Sequence, residues 1–225
     1  DADYEGVAGT IHNIIALDMT ETAISNYIWG GNGYHTVAGV NGATETKGNS
    51  ENRVTKSITM DIYSGHFNTV RGESACGNHD NVPITLNVYG GQWNSSFMAV
   101  NRTNNKGATS LKDSLVTTNI YDGTFKTCYM GGQNARNQEF VNNVYGGTFS
   151  GWYYGGGNVW AKKVTNNIYG GNFAGGFAGG GSACGSESVT NNIYGGIFNN
   201  GQNIMGAYSN PSTASNIYAE QTIDN

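Results

Sequence analysis

Val164-Thr165-Asn166-Asn167-Ile168-Tyr169-Gly170-Gly171-Asn172-Phe173 recurs 25 residues later as Val189-Thr190-Asn191-Asn192-Ile193-Tyr194-Gly195-Gly196-Ile197-Phe198. Looser copies begin at Val141 (VNNVYGGTF), Val116 (VTTNIYDGTF), Ile84 (ITLNVYGGQW) and Ile58 (ITMDIYSGHF), with degenerate copies at Ile24 (ISNYIWGG) and Ala214 (ASNIYAE). The tyrosine position is then Trp29, Tyr63, Tyr89, Tyr121, Tyr145, Tyr169, Tyr194 and Tyr218, with a base step of about 24 residues. Self-similarity at such a period is the mark of a solenoid. A second motif falls eight residues after the tyrosine: Tyr129-Met130-Gly131-Gly132, Tyr153-Tyr154-Gly155-Gly156-Gly157 and Phe177-Ala178-Gly179-Gly180-Gly181, with Phe97-Met98-Ala99-Val100 as an earlier copy. Each unit therefore holds at least two short strands separated by a Gly-rich corner, where glycine reaches positive φ without strain.

Side chains alternate along a strand, so each copy has two faces. Val164, Asn166 and Ile168 share one, which reads Val116/Thr118/Ile120, Ile84/Leu86/Val88 and Ile58/Met60/Ile62 in other copies. That mostly aliphatic face is expected to point inward. Thr165, Asn167 and Tyr169 share the other, and that face is expected to point outward. The aromatic four residues after the tyrosine (Phe67, Trp93, Phe125, Phe149, Phe173, Phe198) lies beyond the bend and is assigned to a stacked column in the core. No single unit can bury its apolar face; stacked units can, each strand pairing with its equivalent one turn above. The expected fold is all-β: a right-handed parallel β-helix of about eight rungs, roughly 24 residues each and about 4.8 Å apart. Residues 1–23 fit the repeat poorly and are expected to form an N-terminal cap on a helix spanning 24–225, with Ile11–Leu17 as a short cap strand or helix.

Composition agrees. The 225 residues include 35 Gly, 31 Asn, 14 Tyr and only 2 Pro, and 12% are charged. Glycine without a three-residue period excludes collagen, and no apolar run is long enough to span a membrane as a helix. A net charge of −5 leaves no basic footprint for nucleic acid. Cys76, Cys128 and Cys184 are odd in number and form no C-x-x-C pair; they read as small buried hydrophobes. His12, His35, His66 and His79 lack metal-ligand spacing, so neither a metal nor a cofactor is expected. The chain begins at Asp1, as it would after a removed secretion signal or a boundary cut within a longer chain. The sequons at Asn94 and Asn101 are frequent by chance in Asn-rich sequence and decide nothing.

The NIYGG(T/N)F…YYGGGN pattern resembles Gly/Asn-rich β-helix repeats of secreted bacterial surface proteins, over about residues 24–218. A 24-residue rung also resembles the pectin-lyase-like helices, whose rungs hold three strands. The resemblance implies an extracellular or cell-surface location. Many such helices are polysaccharide lyases or hydrolases with acidic residues, and Arg or Lys bases, on one outward sheet. Here the outward strand carries Thr-Asn-Tyr with one acid in the Asn column, Asp61. Asp122 sits in a bend, where Asp is a good turn residue. Glycosidase work needs two carboxylates across a defined gap; these two lie two rungs apart in different columns. Arg71, Glu73, His79 and Asp80 crowd one stretch, which a solvated corner explains as well as a site does. No catalytic residue is assigned.

Three functions compete. The first is a non-enzymatic module for adhesion or glycan binding, its partner a polysaccharide or a host or cell-surface glycan. Tyr121, Tyr145, Tyr169 and Tyr194 would offer ring faces to sugar C–H groups, and Asn119, Asn143 and Asn167 would bond hydroxyls. The plainer role of such ladders is to stabilise the sheet; ice binding would prefer small Thr without Tyr beside it. The second is a structural spacer or fibre subunit that adds end to end. The third is a polysaccharide-cleaving enzyme. Two insertions, near 42–53 and 102–114, leave equivalent rung edges, and long insertions often carry function. A specific ligand is expected at that edge, around Lys47, Glu51, Lys106 and Lys112, with Phe97 and Tyr129 as an adjoining outward wall.

Overall fold

The computed structural model describes residues 9–17, 24–29, 55–72, 82–100, 114–131, 139–157, 161–181, 186–198, 204–206, 213–217 and 222–223. Among them every regular element is a strand, and every pairing is parallel. The first sheet has eight strands: β1 (Gly9–Ala16), β3 (Thr55–Ser64), β5 (Ile84–Val88), β7 (Leu115–Ile120), β9 (Glu139–Val144), β12 (Ala161–Ile168), β15 (Ser186–Ile193) and β18 (Thr213–Ile217), in that order. Ile120, Val144, Ile168 and Ile193 stand in register across four of them. The chain is a parallel β-solenoid.

The second sheet starts with β2 (Ile24–Trp29), β4 (His66–Arg71), β6 (Gln92–Met98) and β8 (Thr124–Tyr129). Beyond β8 each rung breaks this strand in two. β8 pairs with both β10 (Thr148–Phe149) and β11 (Tyr153–Tyr154). β13 (Asn172–Phe173) and β14 (Phe177–Ala178) repeat the split, followed by β16 (Ile197–Phe198) and β17 (Ile204–Met205), with β19 (Thr222–Ile223) beside β16. The break falls at Gly151 and Gly175. A Cβ on Gly151 would collide with the Lys126 carbonyl, and one on Gly175 with the Gly151 backbone, so the rungs nest there only as glycine.

The corner after the first sheet uses two glycines for two reasons. The second, as in Gly147 (φ 97°) and Gly171 (φ 105°), holds a backbone that other residues reach only with strain. The first lies over the carbonyl of the rung below: a Cβ on Gly90 would come within 2.7 Å of the Tyr63 oxygen. Hydrogen bonding continues round the corner, Tyr145 N to Ile120 O at 2.8 Å and Thr148 N to Gly123 O at 2.8 Å.

The core is two aromatic columns against an aliphatic wall. Phe67, Trp93, Phe125, Phe149, Phe173 and Phe198 are buried in one column at 4.7–5.0 Å between centroids, as the repeat predicts, with Phe67 tilted 36° on Trp93 and the others stacked. A second column, Phe97, Tyr153 and Phe177, meets them edge-on at 78–89°. Each fully buried large side chain contributes about 1.5–3 kcal/mol.

Two sequence expectations change. Phe97 is not an outward wall: it is fully buried. Its partners in register are Cys128, Tyr153 and Phe177, not Tyr129. Phe125 to Cys128 is one residue shorter than Trp93 to Phe97, and β6 takes up its extra residue in an irregularity between Trp93 and Ser96. Counting from the tyrosine is therefore one out of phase between the two rungs. Ile24–Trp29 is not a copy of the tyrosine strand either, since Ile24 pairs with Phe67 and Trp29 with Arg71 in the second sheet. Of the strand or helix expected at Ile11–Leu17, the strand forms: β1 pairs with β3 as the terminal strand of the first sheet.

Inside the column, Asn142, Asn166 and Asn191 form a buried amide ladder. Nδ2 of Asn142 donates to Asn166 Oδ1 (2.8 Å), and Nδ2 of Asn166 to Asn191 Oδ1 (2.7 Å). The same amides cross the core to the carbonyls of Gly155, Gly179 and Gly206 at 2.8, 2.8 and 3.0 Å. Glycine is required opposite, because a Cβ on Gly155 would strike the Asn166 amide and one on Gly179 that of Asn191. The ladder stops at Thr118, where Thr118 Oγ1 and Asn142 Oδ1 are buried without partners. An orphaned buried hydroxyl costs about 1–3 kcal/mol. Thr118→Val keeps the shape and removes the orphan, so its urea midpoint should rise, by about 1 kcal/mol of stability; a fall of that size would mean that the hydroxyl is bonded in solution.

Candidate functional site

The outward face of the first sheet carries the candidate residues. Tyr63, Tyr89, Tyr121, Tyr145, Tyr169 and Tyr194 form one file, with centroids 4.7–5.0 Å apart and planes within 11°. Each is between 37% and 48% exposed, so the hydroxyls and ring edges meet solvent while the ring faces cover one another. Single sugars therefore cannot stack flat along the file, contrary to the expectation from sequence. What the file presents is a wall of phenolic edges. Burial raises the Tyr145 hydroxyl above the ordinary tyrosine range, with the flanking Tyr121 and Tyr169 adding to it, so this phenol is a neutral donor at pH 7.

Beside it runs an outer amide ladder. Nδ2 of Asn192 donates to Asn167 Oδ1, Asn167 to Asn143, Asn143 to Asn119 and Asn119 to Asn87, all at 2.7–2.8 Å. Asn87 ends the run on Asp61 Oδ1 at 2.7 Å, and His12 Nε2 meets Asp61 Oδ2 at 2.6 Å. The ladder is polarised: every donor points towards the N-terminal end, where a carboxylate accepts from both sides. Asn87, Asn119, Asn143 and Asn167 each spend one N–H and one lone pair in it, leaving a second N–H. Next come Thr59, Thr85, Thr117, Val141, Thr165 and Thr190 in register, all partly exposed. Leu115, Glu139, Lys163 and Ser188 stand in register at the far side. Glu139 pairs with Lys162 at 3.7 Å, an exposed contact of little energetic weight.

Asp61 is thereby a ladder terminus. Partial burial opposes its ionisation, but the hydrogen bonds from Asn87 and His12, with the charge of His12, outweigh it and hold the carboxyl below the usual range. A depressed carboxyl contributes stability that is complete above its unfolded pKa of about 3.9 and is lost as pH falls through the folded value. Asp61→Asn should abolish that part of the acid sensitivity while keeping an acceptor for Asn87. Urea midpoints at pH 7 and pH 3 should then differ less in the variant than in the wild type; an equal difference would place the acid-sensitive group elsewhere. Asp122 Oδ1 accepts from Gly123 N at 2.7 Å, which is the turn role expected for it.

Tyr129 lies on the outer surface of the second sheet, away from the tyrosine file. It stacks on Tyr154 at 5.0 Å, and Trp152 stacks on Tyr154 at 5.6 Å. The Trp152 ring lies over Gly176, where a Cβ would approach it to 3.1 Å. Repeat counting missed Trp152 and Tyr154; their alternation about the buried Tyr153 was the available signal. Lys47, Glu51, Lys106 and Lys112 of the two insertions, with Glu73, His79, Asp80, Cys76, Cys184 and Tyr218, lie outside the described residues. Cys128 is buried, and burial pushes its thiol well above the ordinary range, so it is no nucleophile. Among the described residues no group of three His, Cys, Asp or Glu could hold a metal.

Fold and face together define a parallel β-solenoid repeat protein with amide and aromatic ladders. No family model, curated protein or solved structure matches the chain.

Proposed function

We propose that the chain is a non-enzymatic glycan-binding or adhesion module whose binding surface is the outward Thr-Asn-Tyr face of the first sheet. One observation carries this reading: six successive rungs present the tyrosine file from Tyr63 to Tyr194, beside an amide ladder from Asn192 to Asn87 that holds its donors and acceptors in place and ends on Asp61. Sugars are bound by such groups when the protein holds them in place beforehand, because little side-chain entropy is then lost on binding. Secretion and display at a cell surface follow from the resemblance to bacterial surface β-helices and belong to the same proposal. The insertion edge, with Lys106 and Lys112, remains a second candidate contact for the same class of ligand.

Polysaccharide pull-downs and a glycan array test it. Tyr145→Ala with Tyr169→Ala removes two hydroxyls and opens a gap in the wall, and retention on the preferred glycan should weaken about tenfold or more. Retention on no glycan at all would sink the proposal. Loss of the fold, checked by circular dichroism, would be read from Tyr145→Phe with Tyr169→Phe instead, which keeps the stack and removes only the hydroxyls.

A further inference from the structure

Six phenols stand side by side on the outward face, close enough to react with one another. From Tyr63 to Tyr194 each ring centroid lies 4.7–5.0 Å from the next, and neighbouring planes agree within 11°. All six are exposed, with their hydroxyl ends towards solvent. The inner members, Tyr89, Tyr121, Tyr145 and Tyr169, each have a tyrosine on both sides. The strands that carry them are fixed in register by parallel pairing and by the outer amide ladder, so neighbours cannot drift apart. The buried Tyr153 shares none of this: its ring stacks on Phe177, and solvent does not reach it.

We propose that the file is a site of oxidative cross-linking, where a peroxide and a haem peroxidase join tyrosines of neighbouring rungs through their ring carbons. Each of two neighbouring phenols gives up one electron and one proton, and the peroxide takes up both pairs to become two waters. The unpaired electron of each phenoxyl radical spreads to the carbons ortho to its oxygen. Two ortho carbons, one from each ring, then combine their single electrons into a carbon–carbon bond. Each of these carbons releases its proton while each phenoxyl oxygen regains one, which restores both aromatic rings. The product is a dityrosine, lighter than the starting pair by two hydrogens. Holding both partners in one file makes the coupling intramolecular, and it then outruns encounters between molecules. The rings need only swing about their side-chain bonds, towards the solvent that their edges already meet. Tyr121, Tyr145, Tyr169 and Tyr194 follow one another at 24 or 25 residues, so each link closes a loop of one rung. Such a loop restricts the unfolded chain as a disulfide does. The proposal is independent of the glycan reading above.

Treatment of the dilute protein with hydrogen peroxide and a haem peroxidase tests this, read by intact mass, peptide mapping and melting temperature. The expected product is a monomer two hydrogens lighter per link, with the links mapping to adjacent members such as Tyr121 with Tyr145. Its melting temperature should rise by about 5 °C or more. Two triple variants separate proximity from the general reactivity of exposed tyrosine. Tyr89→Phe with Tyr145→Phe and Tyr194→Phe leaves no two tyrosines of the file adjacent. Tyr63→Phe with Tyr89→Phe and Tyr121→Phe leaves Tyr145, Tyr169 and Tyr194 contiguous. Both keep three tyrosines and a stack of six rings. Links within the file should fall about tenfold or more in the first variant and persist in the second. Equal yields from the two would overturn the proposal, as would a wild-type product linked mainly between molecules or not at all within the file. Should a triple variant fail to fold, Tyr145→Phe alone is decisive: links should then form on either side of the gap, and a bridge from Tyr121 to Tyr169 at the wild-type yield would overturn the proposal.

Discussion

Ile168→Asp should leave no intact column. Ile168 is fully buried and sits in register between Val144 and Ile193, with the stacked Phe149 and Phe173 across the core. A carboxylate there has no cation and no donor other than backbone already bonded between rungs. Burying an unpaired charge costs several kcal/mol even after relaxation, and the apolar contribution of the isoleucine, about 1.5–3 kcal/mol, is lost as well. The sum is comparable with the whole stability of an ordinary domain. Because each rung contacts only its neighbours, damage should spread from the altered rung towards the nearer end first. Circular dichroism should show loss of β signal, and limited proteolysis should cut within 161–198. A protein with wild-type thermal stability and protease resistance would refute the stacked-core account.

The second large effect is expected at Asn166, whose side chain is the centre of the inner ladder. Asn166→Ala removes four partners at once: the donor to Gly179 O, the donor to Asn191 Oδ1, the acceptor of Asn142 Nδ2 and, at 3.4 Å, that of the Tyr153 hydroxyl. The groups left behind are buried. Each unsatisfied one costs about 1–3 kcal/mol, so a loss of at least 4 kcal/mol is expected, read as a fall of roughly 8–16 °C in melting temperature. Replacing Asn143 by Ala on the outer ladder interrupts a similar chain of amides, but its neighbours are partly exposed and regain water, so its cost should stay near 1 kcal/mol. Equal effects at the two sites would show that burial does not distinguish the ladders.

The contrast between these ladders marks the limit of what repeat counting reads. Alternation of side chains placed Asn166 inward and Asn167 outward, and the strict period placed every Asn167 equivalent in one file. It also placed the tyrosines outward and the Phe67-to-Phe198 column inward, because a side chain that repeats at the rung period must stack on its own copy. The strand positions of Ile120, Val144, Ile168 and Ile193 follow from the same rule. None of this needed distances.

The sequence by itself determined a parallel stack of rungs, the two faces of its regular strand, the glycine corners and the aromatic core. Tertiary structure alone decided the rest, wherever the number of residues between two columns varies. Phe97 faces inward at the same four-residue step from its core aromatic as Tyr153 and Phe177, while the Phe125 rung is one residue shorter, so that Cys128 and not Tyr129 stands beneath Phe97, a slip that counting from the tyrosine does not show. Ile24–Trp29 joined the second sheet because its pairing partner, Phe67 to Arg71, lies a whole rung away in space, and a local motif match does not encode which neighbour is met. The inner ladder needed the carbonyls of Gly155 and Gly179, thirteen residues on from Asn142 and Asn166, and that cross-core bond exists only once the rung has closed. The covering of the tyrosine faces, which turns a stacking platform into a file of ring edges, likewise depends on the angle at which successive rings settle. Spacing along the chain sets which side chains stack; the packing of rung on rung sets which of their surfaces is left for a ligand.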